Sequence, residues 1–211
     1  MSKKLSIVVP CYNESLNIEV TYDRIKKNIE KITNNYEIIF VDDGSTDNSA
    51  EILAKSAQDE KNLKVLQFSR NFGHQSAMFA GIEHSSGDGI FLIDADLQDP
   101  PEKFKEMYDK WISGYDVVYG VRKSRKRRSF IRKLLYSTYH KVFKSLSDLN
   151  NQEDLVDFCL IDSKVKNELV KLRENNVFFR GLRSWVGFKQ IGIPYDQQDR
   201  ELGETKYSIN K

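Results

Sequence analysis

The sequence predicts an α/β fold in one domain: a mostly parallel sheet with helices on both faces. Three observations carry that prediction. Short, mostly apolar and β-branched runs recur at Leu5–Val9, Tyr36–Val41, Leu63–Phe68, Gly89–Ile93 and Val117–Tyr119, as strands buried on both faces do. Helix-like stretches separate successive runs, the alternation that builds parallel sheets. Three of the runs end in polar clusters, and a parallel sheet binds ligands beyond the carboxyl ends of its strands.

Taken in order, Leu5–Val9 is stopped at once by Pro10, too early for the core of a signal peptide. A helix over 15–32 follows, with Leu16, Val20 and Ile25 on its apolar side. Tyr36–Val41 runs into Asp42-Asp43-Gly44-Ser45-Thr46-Asp47, where Gly44 suits a turn and Thr46 or Asp47 suits the cap of a helix over 48–57. Leu63–Phe68 precedes an Ala-, Met- and Phe-rich helix over 73–84. Gly89–Ile93 ends in Asp94, Asp96 and Gln98, and Pro101 then opens a helix over 101–112, with Asp99 as its cap. Beyond Val121 the pattern loosens. Ile131, Leu134, Leu135, Tyr139, Val142, Phe143 and Leu146 keep helical spacing in a basic amphipathic stretch. A polar turn over 148–154, an apolar run at Phe158–Ile161, a helix after Ser163 and a strand at Gln190–Pro194 complete the chain before a polar tail. Residues 1–211 thus read as one domain with a regular half, 1–121, and an irregular half, 122–211.

The chain has 211 residues, 39% hydrophobic and 30% charged, enough for a proper core. It contains no repeat, and no apolar run approaches the ~20 residues of a membrane helix. Cys11 and Cys159 stand far apart without metal-ligand spacing; they read as small buried thiols in a reducing compartment. Ten Lys or Arg and no acid fall between Arg122 and Lys144, and removing them from the net charge of +2 leaves −8. An acidic body with one basic segment suggests a local anionic partner. No nucleic-acid recognition motif accompanies the run, so nucleic acid is not expected as a partner.

Two carboxylates and an amide, Asp94, Asp96 and Gln98, suit a hard cation, Mg²⁺ or Mn²⁺, that completes its shell with substrate phosphates. In extended geometry Asp94 and Asp96 point to the same side. The plainer reading is a solvated acidic turn. Asp42 and Asp43 exceed what a cap needs and suit a nucleobase N–H or a ribose hydroxyl. No Gly-x-Gly-x-x-Gly or Walker-type loop is present, so metal and arginine would hold a diphosphate. His84 reads as structural, and His74 lies by a strand-end loop within reach of a substrate. Phe178, Phe179 and Trp185 read as core, or as the lining of an acceptor groove.

The motifs "IVVPCYNE", "VDDGSTD" and "DADLQDPPE", in that order, resemble the family 2 glycosyltransferases of the GT-A, Rossmann-like fold. "SRNFGHQSAMFAGIEHSSGD", "VYGVRKSR", "VDFCLID", "FFRGLRSWVGF" and "RELGETKY" are similar to the polyprenyl-phosphate glycosyltransferase group. The resemblance implies inverting transfer of a hexose, glucose from UDP-glucose foremost, to a polyprenyl phosphate such as undecaprenyl or dolichyl phosphate. It implies Pro10, Tyr12, Glu14, Asp42 and Asp43 in the nucleotide pocket of residues 1–121, and Asp94 near ribose or metal. Asp96 and Gln98 would bind the metal, and Arg122 and Arg125 would face phosphates. Asp157 matches the proposed catalytic base, and Arg200 and Lys206 a loop closing over the diphosphate. Residues 122–211 would face acceptor and anionic membrane, placing the protein at the cytoplasmic membrane face. Two departures stand out: Cys159 occupies a position usually basic, and the C-terminal membrane helices of bacterial members do not follow Lys211. A dianionic lipid phosphate scarcely needs a base, so Asp157 is equally an orienting residue. A soluble family 2 transferase with a saccharide or protein acceptor, and a binding module without turnover, are the alternatives; a sugar nucleotidyltransferase would need a triphosphate loop that is missing.

Overall fold

Strands β1 (Leu5–Cys11) and β2 (Tyr36–Asp42) are buried along their whole length, which requires apolar side chains on both of their faces. In the computed structural model, which describes residues 3–123, 155–172 and 178–198, they sit within a seven-stranded sheet. The other strands are β3 (Leu63–Gln67), β4 (Gly89–Leu92), β5 (Val117–Arg122), β6 (Leu155–Asp162) and β7 (Gln190–Tyr195), in the order β3-β2-β1-β4-β6-β5-β7. Neighbours run parallel except at β6, which is antiparallel to both β4 and β5. The predicted 129–146 helix, and with it Arg125, Arg200 and Lys206, lies outside the described residues.

Alternate strand residues serve opposite faces, as the two-residue period requires. On one face Ile7, Val9, Ile38, Phe40, Phe91, Phe158 and Leu160 meet α1 (Ile18–Ile29), α2 (Ser49–Asp59) and α4 (Phe104–Ile112). On the other Val8, Ile39, Val41, Leu92, Cys159 and Ile161 meet α3 (His74–His84), α5 (Ser163–Lys171) and α6 (Phe179–Trp185). Helices on both faces are therefore observed. α3 lies so close to β1 that a Cβ on Gly81 would sit 2.3 Å from Val8 Cγ1. α1 begins later than the sequence pattern predicts, because the amides of Asn17 and Ile18 first turn back to the Glu14 carbonyl.

Strand order reverses at β1, with β2 on one side and β4 on the other. That places the ligand crevice at the carboxyl ends of β1 and β4. β1 outlasts β4 there. Ile93 N still donates to Val8 O, so by the two-residue period Pro10 directs its missing N–H toward the open side and breaks no ladder bond.

The opposite end of the sheet is closed by Glu37, which is 3% exposed. It accepts from Ser6 Oγ at 2.6 Å and Ser86 N at 2.7 Å, and pairs with Lys64 at 2.7 Å and Lys4 at 3.2 Å. Burial alone would raise its carboxyl; the bonds from Lys64, Ser6 and Ser86 outweigh that and bring it from 4.5 down to about 2. A depressed folded value means stability that is present above pH 4.5 and lost as pH falls toward 2. Glu37→Gln is therefore expected to lose about 2 kcal/mol at pH 7 and to flatten the acid limb of the stability curve. Urea unfolding at stepped pH reads both, and an acid limb as steep as the parent's would refute it.

Candidate active site

The crevice is walled by two interlocked loops. Asn13, in the left-handed region at φ 53°, is a residue type that tolerates it. Its Oδ1 accepts from Thr46 N at 2.7 Å, and its own N–H donates to Ser45 Oγ at 2.9 Å. Asp47 accepts from Ser49 N at 3.0 Å just ahead of α2, but the cap position is Asn48, without a side-chain cap bond, and not the expected Thr46 or Asp47. Gly44, at φ 66°, brings the turn against the Arg70 backbone, where a Cβ would approach within 2.3 Å; no other residue type fits.

The predicted nucleotide-pocket residues gather on this wall with different chemistry. Asp43 is buried and accepts from Phe72 N at 2.7 Å and Gly73 N at 3.0 Å, so its carboxylate is engaged with the loop before α3. Asp42, also buried, accepts from Ser45 through Oδ1, while Oδ2 has no hydrogen-bond partner. A buried carboxylate oxygen without a donor is costly, and a ligand N–H or O–H would satisfy it. Glu14 is 8% exposed and takes the Asn17 amide at 2.5 Å. Pro10 is buried and Tyr12 half-buried beside it.

Asp94 and Asp96 do not continue β4 as an extended row. The strand ends at Leu92, and they lie on a turn in which Leu97 takes φ 62°. The turn is held by Gln98 N donating to Asp96 Oδ1 at 3.1 Å and by Gln198 N donating to Gln98 O at 3.0 Å. The Gln98 side-chain oxygen accepts from Gln197 at 3.0 Å. Asp99, expected as a helix cap, is instead buried: it accepts the Tyr195 hydroxyl at 2.5 Å and faces Arg122 at 3.6 Å. Arg122 Nε donates to the Tyr195 hydroxyl at 3.0 Å.

Across the rim, Asp157 at the start of β6 receives Arg180 as a fork, Nε to Oδ1 at 2.9 Å and a terminal nitrogen to Oδ2 at 2.7 Å. His74 Nε2 lies 3.8 Å from Asp157 Oδ2 and 3.4 Å from Asp94 Oδ1. Gln75 ties the same corner to α6, accepting from Phe179 N at 2.9 Å. Burial works against ionised Asp157, yet nearby His74 and the Arg180 fork hold its carboxyl well below the usual carboxylate range. Asp94 goes the other way. Burial first, then the charges of Asp99, Asp157 and Asp96, push it up to about 7 against the pull of His74. Solvent reaches 35% of its side chain, and the crowded carboxylates push in the same direction as burial.

This surplus of negative charge is the test of fit for a divalent cation. The donors are all oxygen, the class Mg²⁺ and Mn²⁺ prefer. Among the described residues no three His, Cys, Asp or Glu side chains converge as a complete metal cage. A Mg²⁺-type ion takes only one or two carboxylates and leaves its other positions to water and phosphate. The residues fit.

Cys159 is fully buried, and burial pushes its thiol up to about 11 against the pull of Arg183. Arg183, from α6, supplies the basic group next to that position. It is itself fully buried, donating to Val156 O at 3.0 Å, with its guanidinium 5.0 Å from the Tyr119 ring centre. Its charge faces core, not crevice. Sequence reasoning assigned no role to Arg180, Gln75 or Tyr195, and only a capping one to Asp99. Arg180 stands inside the quoted "FFRGL", but nothing in its spacing foretells a partner 23 residues upstream.

A family profile described as "Glycosyl transferase family 2" matches residues 6–169. The uncharacterized glycosyltransferase YkcC of Bacillus subtilis (strain 168) is 47% identical over 98% of this chain and 64% of its own length. The bactoprenol glucosyl transferase of Shigella phage SfV is 34% identical over 97% of this chain and 67% of its own. The chain thus spans about two thirds of the length of these relatives. The mannosyltransferase PcManGT from Pyrobaculum calidifontis, solved with GDP-Man and Mn²⁺, superposes with a TM-score of 0.65 at 18% identity, covering 92% of this chain and 55% of that one. This likeness establishes the GT-A fold.

Proposed function

The chain belongs to glycosyl transferase family 2, and from that premise we propose that it moves a hexose from a nucleoside diphosphate sugar, UDP-glucose foremost, to a polyprenyl phosphate. One observation carries the reading: an acidic turn, Asp94 to Gln98, stands at the topological switch point with arginines on either side. Bactoprenol glucosyl transferases at 34% identity support the acceptor, and the ten cations between Arg122 and Lys144 support an anionic membrane surface at its cytoplasmic face. Among the described residues no helix is long and apolar enough to cross a membrane.

In this reading residues 1–121 hold the nucleotide. Asp42 offers its unpartnered oxygen to a base or ribose donor, with Pro10, Tyr12 and Glu14 beside it and Asp43 fixing the wall. Asp94, Asp96 and Gln98 hold Mg²⁺ or Mn²⁺, which when bound neutralises charge on the departing diphosphate. Arg122, with Arg125, Arg200 and Lys206 from outside the described residues, meets phosphate oxygens. A phosphate oxygen of the acceptor attacks the anomeric carbon as its bond to the diphosphate breaks. The nucleoside diphosphate leaves with the bonding pair, and the configuration inverts. Asp157 orients this corner. It is a poor base, because the Arg180 fork engages both its oxygens, with His74 beside them.

The test is calorimetric binding of a nucleotide-sugar panel with and without Mn²⁺, followed by radiolabelled transfer to undecaprenyl phosphate, a saccharide or a protein. Mn²⁺-dependent binding of one donor and transfer to the lipid phosphate is expected. Transfer only to a saccharide or protein would replace the acceptor, and no binding of any donor would refute the reading.

A further inference from the structure

Two arginines at the rim share one construction. Arg122 is 42% exposed and anchored at Asp99, itself 3% exposed; Arg180 is 42% exposed and anchored at Asp157, 7% exposed. Each meets a buried carboxylate while 42% of its side chain stays exposed, which fixes a long side chain before any ligand arrives. They stand on opposite faces of the sheet. Arg122 bonds to Tyr195, which packs in the core beneath α1 and α4. Arg180 leaves α6, on the face of α3 and α5, and meets Asp157 there. Asp94 lies between, within 3.4 Å of His74, which in turn is 3.8 Å from Asp157.

We propose that Arg180, positioned by Asp157 and flanked by His74, is a second phosphate-binding residue of this site, opposite Arg122. The inference rests on the transfer reading above, whose chemistry brings two phosphoryl groups to one anomeric carbon. An in-line displacement sets the leaving diphosphate and the attacking phosphate on opposite sides of that carbon. Cations on opposite faces of the rim, with the acidic turn between them, match that demand. Both ligands present phosphate oxygens that an arginine binds as a fork. The chemistry is common to the donor's diphosphate and the acceptor's phosphomonoester, and the experiment separates them.

Arg180→Gln, Arg180→Lys and the parent chain are titrated by calorimetry with UDP plus Mn²⁺ and, separately, with farnesyl phosphate, farnesol serving as the uncharged control. Arg180→Gln is expected to weaken one of the two phosphate ligands by roughly tenfold or more and to leave the other within twofold, with farnesol unaffected. Arg180→Lys should recover part of the loss. Selective loss of farnesyl phosphate assigns Arg180 to the acceptor, and selective loss of UDP to the donor. If Arg180→Gln melts below the parent, the comparison passes to Arg180→Lys, expected to weaken one ligand at least threefold. Unchanged affinity for both ligands in a folded variant overturns this inference alone. A parent chain that binds neither ligand overturns the transfer reading and this inference with it.

Discussion

Asp96→Asn is expected to lower sugar transfer about a thousandfold and to remove the Mn²⁺ dependence of donor binding. The substitution is a clean probe of charge. Asp96 Oδ1 accepts the Gln98 amide at 3.1 Å, a bond that an asparagine oxygen also accepts, so the turn survives. What disappears is one of two carboxylates available to a divalent ion. Loss of a group that stabilises developing negative charge costs on the order of 10²–10³ in turnover, and loss of a metal ligand reaches the upper end of that range. Calorimetry with UDP-glucose, with and without Mn²⁺, measures the binding, labelled transfer measures turnover, and a thermal melt checks the fold. Donor binding that keeps its Mn²⁺ dependence within threefold would remove Asp96 from the metal site.

The fold was legible because its cause is local. Leu5–Val9 and Tyr36–Val41 are apolar on both faces, and only a strand covered on both sides uses such residues. The first helix was placed but its face was not: of Leu16, Val20 and Ile25 only Ile25 is buried, Leu16 and Val20 being 67% and 43% exposed, while α2–α4 were placed by the turns and composition around them. Strand ends also announced the crevice, since acids at Asp42, Asp43, Asp94 and Asp96 have no packing role in a core. What stayed hidden depends on pairing across the chain. Nothing near Asp43 tells that Phe72 and Gly73 will take its carboxylate. Asp99, beside Pro100, has the look of a cap until Tyr195, 96 residues away, claims it. The reversal of β6 was equally invisible. Between Arg122 and Leu155 stand 32 residues, a connection long enough for either strand direction. Arg183, from the neighbouring helix, lies beside position 159 but is fully buried and bonded to Val156 O, a neighbour that single positions cannot reveal.

Asp157→Asn is expected to lower transfer about a hundredfold, through Arg180 and not through loss of a base. Its carboxyl is held well below the usual carboxylate range by His74 and Arg180 against the effect of burial. It is ionised at neutral pH and has little affinity for a proton. A base contributes most when its proton affinity is near the working pH, and an acceptor phosphate with a second pKa near ~6 arrives largely deprotonated. The sign of the linkage gives an independent check. A depressed value contributes stability above the ordinary carboxyl value of 3.8 that is lost as pH falls below it. Asp157→Asn should therefore lose about 1–2 kcal/mol at pH 7, discounted from a fully buried pair because Arg180 is 42% exposed, and lose less stability than the parent on acidification. The double variant Asp157→Asn/Arg180→Gln decides between the two roles. If the carboxylate acts by holding the guanidinium, the second substitution costs little once the first is made, because both remove one unit. If the carboxylate takes a proton, the two losses multiply, and the Asp157→Asn pH–rate profile loses a limb that the parent shows.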